Sequence, residues 1–381
     1  MLQKIIMNDT PEFRARAAQA LAKEAPRAVH MSAFVGLDGF VDEILHVVDK
    51  RENAEVFSRV PTIAKLADRL AGAAGKSTNI ELVNQVTKLG GNGPIMANAL
   101  VNLSLKVTYL GNLGYPNLHP VFDEFSKRAE VITIAGPGTT DALEFEDGKI
   151  MVGKLETLKQ VTWDNIQSRC GLERFISRFG AADLVGFVNW TMLPYMSDIW
   201  ESLLADVCPG LDTARRRTIF FDLADPEKRT KDDILRALGL IGKFEKYFHV
   251  ILGLNEKEAH EIGEVFGLNV KLNSPDSLAE LCREIGAKLP ISTLVVHPTQ
   301  YALAVSKGNV SMVQGPYTAK PLITTGAGDH FNSGFCLGKL LGLDDAVSVL
   351  TGVTTSGYYV RTAKSPTISQ LVDMMNDTAK W

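Results

Sequence analysis

The stretch Ile323-Thr-Thr-Gly-Ala-Gly-Asp-His-Phe-Asn-Ser-Gly-Phe335 joins a glycine-tight turn to a carboxylate and then to an apolar run of helical spacing. Such a turn crowds the backbone N–H groups of Gly326, Ala327 and Gly328 at the positive end of a helix, where unpaired donors and the helix dipole hold an anion. Asp329 falls beside that seat. A carboxylate there takes the proton of an attacking hydroxyl while the amides stabilise the transferring group, a division of labour that points to phosphoryl transfer. Asp ahead of an apolar helix is also a common N-cap, and Gly-Ala-Gly also serves close packing of helix on strand. The rest of the chain has to decide between these readings.

Outward from that turn, apolar runs of strand length recur: Ala33 to Leu37, Val107 to Leu110, Val131 to Ile134, Leu184 to Val188, Thr218 to Asp222, Val250 to Leu254 and Thr293 to His297. Segments of 3.6-residue period separate several of them, among them Ile95 to Leu105, Lys231 to Ile241, Glu256 to Phe266 and Ser277 to Leu289. Continuous hydrophobicity without alternation implies strands covered on both faces, hence an α/β chain with a mainly parallel sheet between helices. Leu143 to Val152 and Tyr301 to Val313 read as hairpins, and Ile44 to Val60 as an extended flap before a helix near Thr62 to Ala71. Without repeats or a long linker, the pattern predicts one core domain over residues 33–381 with lid elements near 44–60 and 142–152. Residues 1–32 are expected to form an accessory helical segment.

Composition narrows the function. With 381 residues, 45% of them hydrophobic, and a formal charge of -4, the chain carries no electrostatic footprint for nucleic acid or an anionic membrane. No apolar run is long enough to span a bilayer, and the N-terminus lacks the apolar core of a signal peptide. A cytoplasmic protein with a small-molecule partner is expected. Cys170, Cys208, Cys282 and Cys336 stand apart in apolar surroundings, as buried thiols do, with no zinc spacing.

Four further motifs carry polar groups. Ala71-Gly-Ala-Ala-Gly-Lys-Ser-Thr78 resembles a Walker loop but has Leu70 where the first glycine is required, so it reads as a helix end and turn. In Leu89-Gly-Gly-Asn-Gly-Pro94, Gly90 and Gly91 permit close approach of a polyhydroxylated ligand to backbone and to Asn92. In Val35-Gly-Leu-Asp-Gly-Phe-Val-Asp42, Asp38 and Asp42 lie just beyond the first core strand, where carboxylates accept hydrogen bonds from sugar hydroxyls. Asn255 and Glu258 have the spacing of a capping box opening a helix, which also puts one acid where Mg²⁺ is held near phosphates. The turns Gly111–Gly114 and Gly326–Gly328 lack the third glycine of a dinucleotide fingerprint.

Taken in order, Asp42, Gly90-Gly91, Asn255-x-x-Glu258 and Thr324 to Asp329 resemble the motif series of the PfkB carbohydrate kinases, the ribokinase-like family, over about residues 33 to 365. That resemblance implies a three-layer α/β/α sandwich with a small β-rich lid, and ATP- and Mg²⁺-dependent phosphorylation of a hydroxyl, expected to be primary, on a sugar or sugar-like molecule. It implies Asp329 as base and Gly326, Ala327 and Gly328 as anion hole. By the same likeness, Asn255 and Thr324 lie at the nucleotide, Glu258 helps hold Mg²⁺ through water, and Asp42 and Gly91 bind the acceptor. A homodimer through the lid is a further implication. The chain departs from the family at Ile323, where an Asp tied to a monovalent-cation site is usual, at Ile95, where Asn is usual, and in the nucleotide loop around His297. Those departures leave a sugar-binding protein without catalysis as the competing expectation.

Overall fold

A computed structural model describes Met7, Asn8 and residues 10–381; the remainder of the expected N-terminal segment lies outside the described residues. Ten strands pair into one sheet in the order Met7–Asn8, Asn309–Gln314, Tyr301–Ser306, Thr293–Val296, Phe248–Leu254, Arg217–Asp222, Leu184–Phe187, Ser32–Leu37, Lys106–Gly111 and Glu130–Thr133. Seven of the nine pairings are parallel, and the two antiparallel ones belong to the expected hairpin. That hairpin closes through Lys307 and Gly308, both at positive φ, the backbone that a two-residue turn between twisted strands demands.

Alternate residues of each core strand enter opposite layers. Phe34, Val185, Phe221, Leu252 and Leu294 pack into one buried cluster, while Ala33, Val35, Leu184, Phe220, Ile251 and Val295 pack into another on the reverse face. A sheet with two apolar faces needs helices on both, which is the three-layer arrangement expected. On the second face lie the helices Pro11–Glu24, Asn92–Asn102, Ala327–Leu340, Asp345–Thr362 and Ile368–Asn376. The first contributes Ala17, Ala18 and Leu21 to the same core as Leu371 and Met375.

The lid is larger than the sequence suggested. A separate five-stranded sheet contains Phe40–Arg51, Phe57–Arg59, Leu82–Gly90, Gly138–Glu144 and Lys149–Lys154. Leu82–Gly90 was not legible as a strand because five of its nine residues are polar or glycine and Leu82 and Val86 face solvent, so no apolar period marks it. Asp42 also moves: it belongs to the lid strand Phe40–Arg51, paired with Lys88 on one side and Thr140 on the other, not to a turn after the first core strand.

The helix that carries Asp329 is fixed by a seam of small residues. A Cβ built on Gly338 would lie 2.7 Å from the Ser348 Cα, and one on Gly334 would lie 2.7 Å from the Thr351 carbonyl oxygen. Backbone on the facing helix Asp345–Thr362 cannot yield as a side chain does. Gly338→Ala is therefore expected to cost about 1–3 kcal/mol of stability by overpacking, read as a lower urea midpoint; an unchanged midpoint would contradict this account of the seam.

Candidate active site

Four adjacent core strands end at one edge, and each delivers a polar side chain there. Asn255 follows Phe248–Leu254, Asp222 closes Arg217–Asp222, Asn189 lies two residues past Leu184–Phe187, and Asp38 follows Ser32–Leu37. Ligands in open α/β sheets bind at this carboxyl edge because the strand ends leave a crevice there. The turn Gly326–Asp329 faces the same edge, since Asn92, first residue of the helix Asn92–Asn102, donates from Nδ2 to Asp329 Oδ1 at 3.0 Å.

Gly326 stands at φ 90° and ψ 0° as the residue before the helix Ala327–Leu340, a left-handed conformation that glycine adopts without steric cost. Its carbonyl accepts from the His330 backbone N–H at 3.1 Å and from His330 Nδ1 at 2.7 Å, which fixes the turn from behind. The Ala327 N–H donates to the Thr324 carbonyl at 3.1 Å, so it is engaged within the turn. Among the described residues, the N–H groups of Gly326, Gly328 and Asp329 have no protein partner. Of the expected trio, Ala327 is thus engaged within the turn, while the Asp329 N–H stands open beside those of Gly326 and Gly328.

A polar cleft of about 380 Å³ is lined by Phe40 and Asp42 of the smaller sheet with Thr140, Gly91, Asn92, Asn189 and Glu258. Asp38 is fully buried beneath it: Oδ1 accepts from the Gly93 N–H at 2.8 Å and Oδ2 from Asn189 Nδ2 at 2.8 Å. Burial pushes its carboxyl up to about 6 against those hydrogen bonds. Asp38 therefore organises the glycine loop and Asn189, and Asn189 is the group that reaches the cleft. Gly90 is required by proximity, since a Cβ there would lie 2.4 Å from the Asp42 carboxyl. Burial raises Asp42, and Lys88, Thr140 and Lys149 oppose that rise. Lys149 and Lys154 pair with Glu144 at 3.4 Å and Asp141 at 3.1 Å, while Lys76 lies in the turn after the helix Ile63–Ala71.

On the other side of the turn, Thr324, Ala327 and Gly328 border a pocket of about 290 Å³ with His297, Tyr317 and Gly357. Burial drives the His297 imidazole down to about 4, so this wall is neutral. A second hollow of about 520 Å³ continues from His297 to Asn255 and Lys257. Asp329 links the two sides through its neighbours: Asn92, which donates to it, lines the polar cleft, and Gly328, which precedes it, borders the pocket at His297.

Beside these hollows lie buried carboxylates, and the Lys257 charge opposes the rise that burial gives Glu258. Glu258 forms a full capping box: Asn255 Oδ1 accepts from its N–H, and its Oε2 accepts from the Asn255 N–H at 2.8 Å. Its other oxygen accepts from the Asp225 N–H at 2.9 Å. Asp222 accepts from the Ala224 N–H and from Asn332 Nδ2, each at 2.8 Å. Among the described residues, no lysine or arginine lies within ion-pair distance of Asp38, Asp222, Glu258 or Asp329. Burial raises Asp329 well above the carboxylate range; the charge of Asp222 adds to this and the Asn92 amide opposes it. Burial likewise raises Asp222, and the charge of Glu258 adds to it.

Sequence reasoning missed Asp222, Asn189, Asn332 and Thr140. The signal for the first two was available: Phe220-Phe-Asp222 and Phe187-Val-Asn189 each end a core strand in a polar residue, as Asp38 does. Asn332, three residues past Asp329 on the helix, carries no local mark of its role.

Comparison with known proteins agrees with this geometry. The sequence model of the prokaryotic ketohexokinase family matches residues 10–378. A ketohexokinase of Haloferax volcanii is 29% identical over 367 residues, covering 95% of this chain and 96% of the relative. Among solved structures, Arabidopsis thaliana ribokinase complexed with ribose and ATP aligns with TM-score 0.62 at 14% identity, over 91% of this chain and 99% of that one. Methanocaldococcus jannaschii nucleoside kinase aligns with TM-score 0.57 at 13% identity, over 90% and 97%. These two likenesses establish the fold, and the family match establishes more: the chain belongs to the prokaryotic ketohexokinase family and is a ribokinase-like carbohydrate kinase of the PfkB class.

Proposed function

We propose that this kinase transfers the terminal phosphoryl group of ATP to a primary hydroxyl of a ketohexose, with Asp329 as the base. The observation that carries the reading is the setting of Asp329, a buried carboxylate held by Asn92 of the polar cleft, preceded by Gly328 of the neutral pocket and adjoined by three unspent amides. The acceptor lies against Asp42, Gly91, Asn92 and Asn189, groups able to bond several hydroxyls. Nucleotide occupies the pocket at Thr324 and Gly328, with Asn255 at its far end. The hydroxyl loses its proton to Asp329 as it attacks in line, while Gly326, Gly328 and Asp329 donate N–H bonds to the transferring group.

Mg²⁺ fits the residues present. Asp222 and Glu258 are buried oxygen donors with no ion-pair partner among the described residues, the environment a hard cation relieves. Bound with the nucleotide, the ion would neutralise phosphate charge; Glu258 and Asp222 would hold it, chiefly through water. Lid strands that carry Asp42 and Thr140 over the acceptor exclude water from the reaction.

Asp329→Asn is expected to lower kcat by about 10²–10⁴-fold with little change in ketohexose KM, measured by coupled assay with product mass spectrometry; equal turnover would reject Asp329 as base. Activity requires Asp329 ionised, so kcat falls as pH drops through its raised pKa. Asn92→Ala removes a donor that favours the ionised form, and the acid limb of the kcat profile is expected to move to higher pH. An unmoved limb would separate Asn92 from the base.

The Asp222 carboxyl titrates higher in the folded protein than in the unfolded chain, so above the ordinary carboxylate range only the unfolded state has released its proton. Stability without ligands therefore declines as pH rises toward the folded value. Asp222→Asn is expected to raise Tm at pH 8 while impairing Mg²⁺-dependent turnover. A lower Tm would contradict the uncompensated-charge account.

A further inference from the structure

A further hollow of about 690 Å³ touches the polar cleft only at Asp42 and shares no lining residue with the pocket at His297. It opens behind the helix Asn92–Asn102 and beneath the rear of the glycine turn, between Arg128, Lys364 and Lys88 at its mouth and Ile323, His330 and Tyr359 at its floor. Two carboxylates border it. Asp42 stands at the lid end, shared with the acceptor cleft, and Glu124 stands at the rim, 83% exposed and paired with Lys127.

Its polar wall is built in advance. Arg128 donates from one η nitrogen to Asn102 Oδ1 at 2.9 Å and from the other to Asn98 Oδ1. Asn98 Nδ2 donates to Ser365 Oγ at 3.3 Å, Asn102 Nδ2 to the Ser365 carbonyl at 3.1 Å, and Ser365 Oγ meets His330 Nε2 at 2.8 Å. The guanidinium is thus held by neutral acceptors, with the exposed Glu124 carboxylate feeling its charge from beyond ion-pair distance, and each η nitrogen keeps a second N–H for an anion. Among the described residues, Arg128, Lys88 and Lys364 have no carboxylate at ion-pair distance.

We propose that this cavity is a binding site for a small phosphate-bearing anion, held by Arg128 and Lys364 and distinct from the phosphoryl seat at Gly326–Asp329. A phosphate group matches the fork of Arg128, and the remaining volume takes a short polar carbon chain along Asn98 and Ser365. Neither Arg128 nor Lys364 lines the acceptor cleft or the nucleotide pocket.

The test is calorimetric titration of the full chain with inorganic phosphate and, separately, glycerol 3-phosphate. Both titrations are made with Mg²⁺ and a saturating non-hydrolysable ATP analogue, so that the phosphoryl seat is filled. Saturable 1:1 binding is expected, weakened at least tenfold in Arg128→Gln and in Lys364→Met, with unaltered ketohexose turnover in the absence of added anion. Tighter binding of glycerol 3-phosphate than of phosphate identifies a phosphate monoester as the ligand, and equal binding identifies free phosphate. No saturable binding, or binding undiminished in both variants, would overturn the site. Should one variant fail to fold, the other decides. Because the readout is binding and not turnover, its failure leaves the kinase reading untouched, and an error in the acceptor leaves this test intact.

Discussion

The constraint on which this architecture depends is negative charge buried without a counter-ion. Asp38, Asp222, Glu258 and Asp329 are each at most 8% exposed, converge on one edge of the sheet, and receive only N–H donors from neutral groups. Desolvation raises all four carboxyls, and neighbouring carboxylates raise Asp222 and Asp329 further. A fold arranged for stability alone would pair or remove such groups. On the proposed mechanism a divalent cation would relieve this imbalance, and a proton taken from an alcohol would discharge part of it. Perturbed carboxyls in a cleft are a functional signature for this reason.

Precision at Asp329 comes from elements far from the charge. The seam of Gly334 and Gly338 against Ser348 and Thr351 locks the helix, His330 ties back the Gly326 carbonyl, and Asn92 grips the carboxylate from the facing helix. One end of the helix thereby carries a buried acid beside three unspent amides. The lid reaches the same point through Asp42, aligned with Lys88 and Thr140 on neighbouring strands.

Much of this was readable in the chain. The seven core runs emerged as strands with ends displaced by no more than two residues, because doubly buried parallel strands must be apolar throughout. The turn 326–329, the capping box at Asn255 and Glu258, and the buried free cysteines also stood in the sequence. What escaped depended on pairing in space. Leu82–Gly90 is a strand because Phe40–Arg51 lies beside it, and nothing in its own pattern says so. Asp42 was placed by its distance from the first strand, whereas the chain had already entered the lid at Phe40. Ala327 was counted among the free amides because only the closed turn reveals its bond to Thr324.

A crystal structure of the ternary complex with a ketohexose, Mg²⁺ and a non-hydrolysable ATP analogue tests the central claim most directly. The account expects an Asp329 carboxylate oxygen about 2.6–3.2 Å from one primary hydroxyl, with the terminal phosphoryl oxygens on the N–H groups of Gly326, Gly328 and Asp329. A sugar bound with that hydroxyl turned toward Asp222 or Asp42 and out of reach of Asp329, or a terminal phosphate lodged away from the turn, would contradict it.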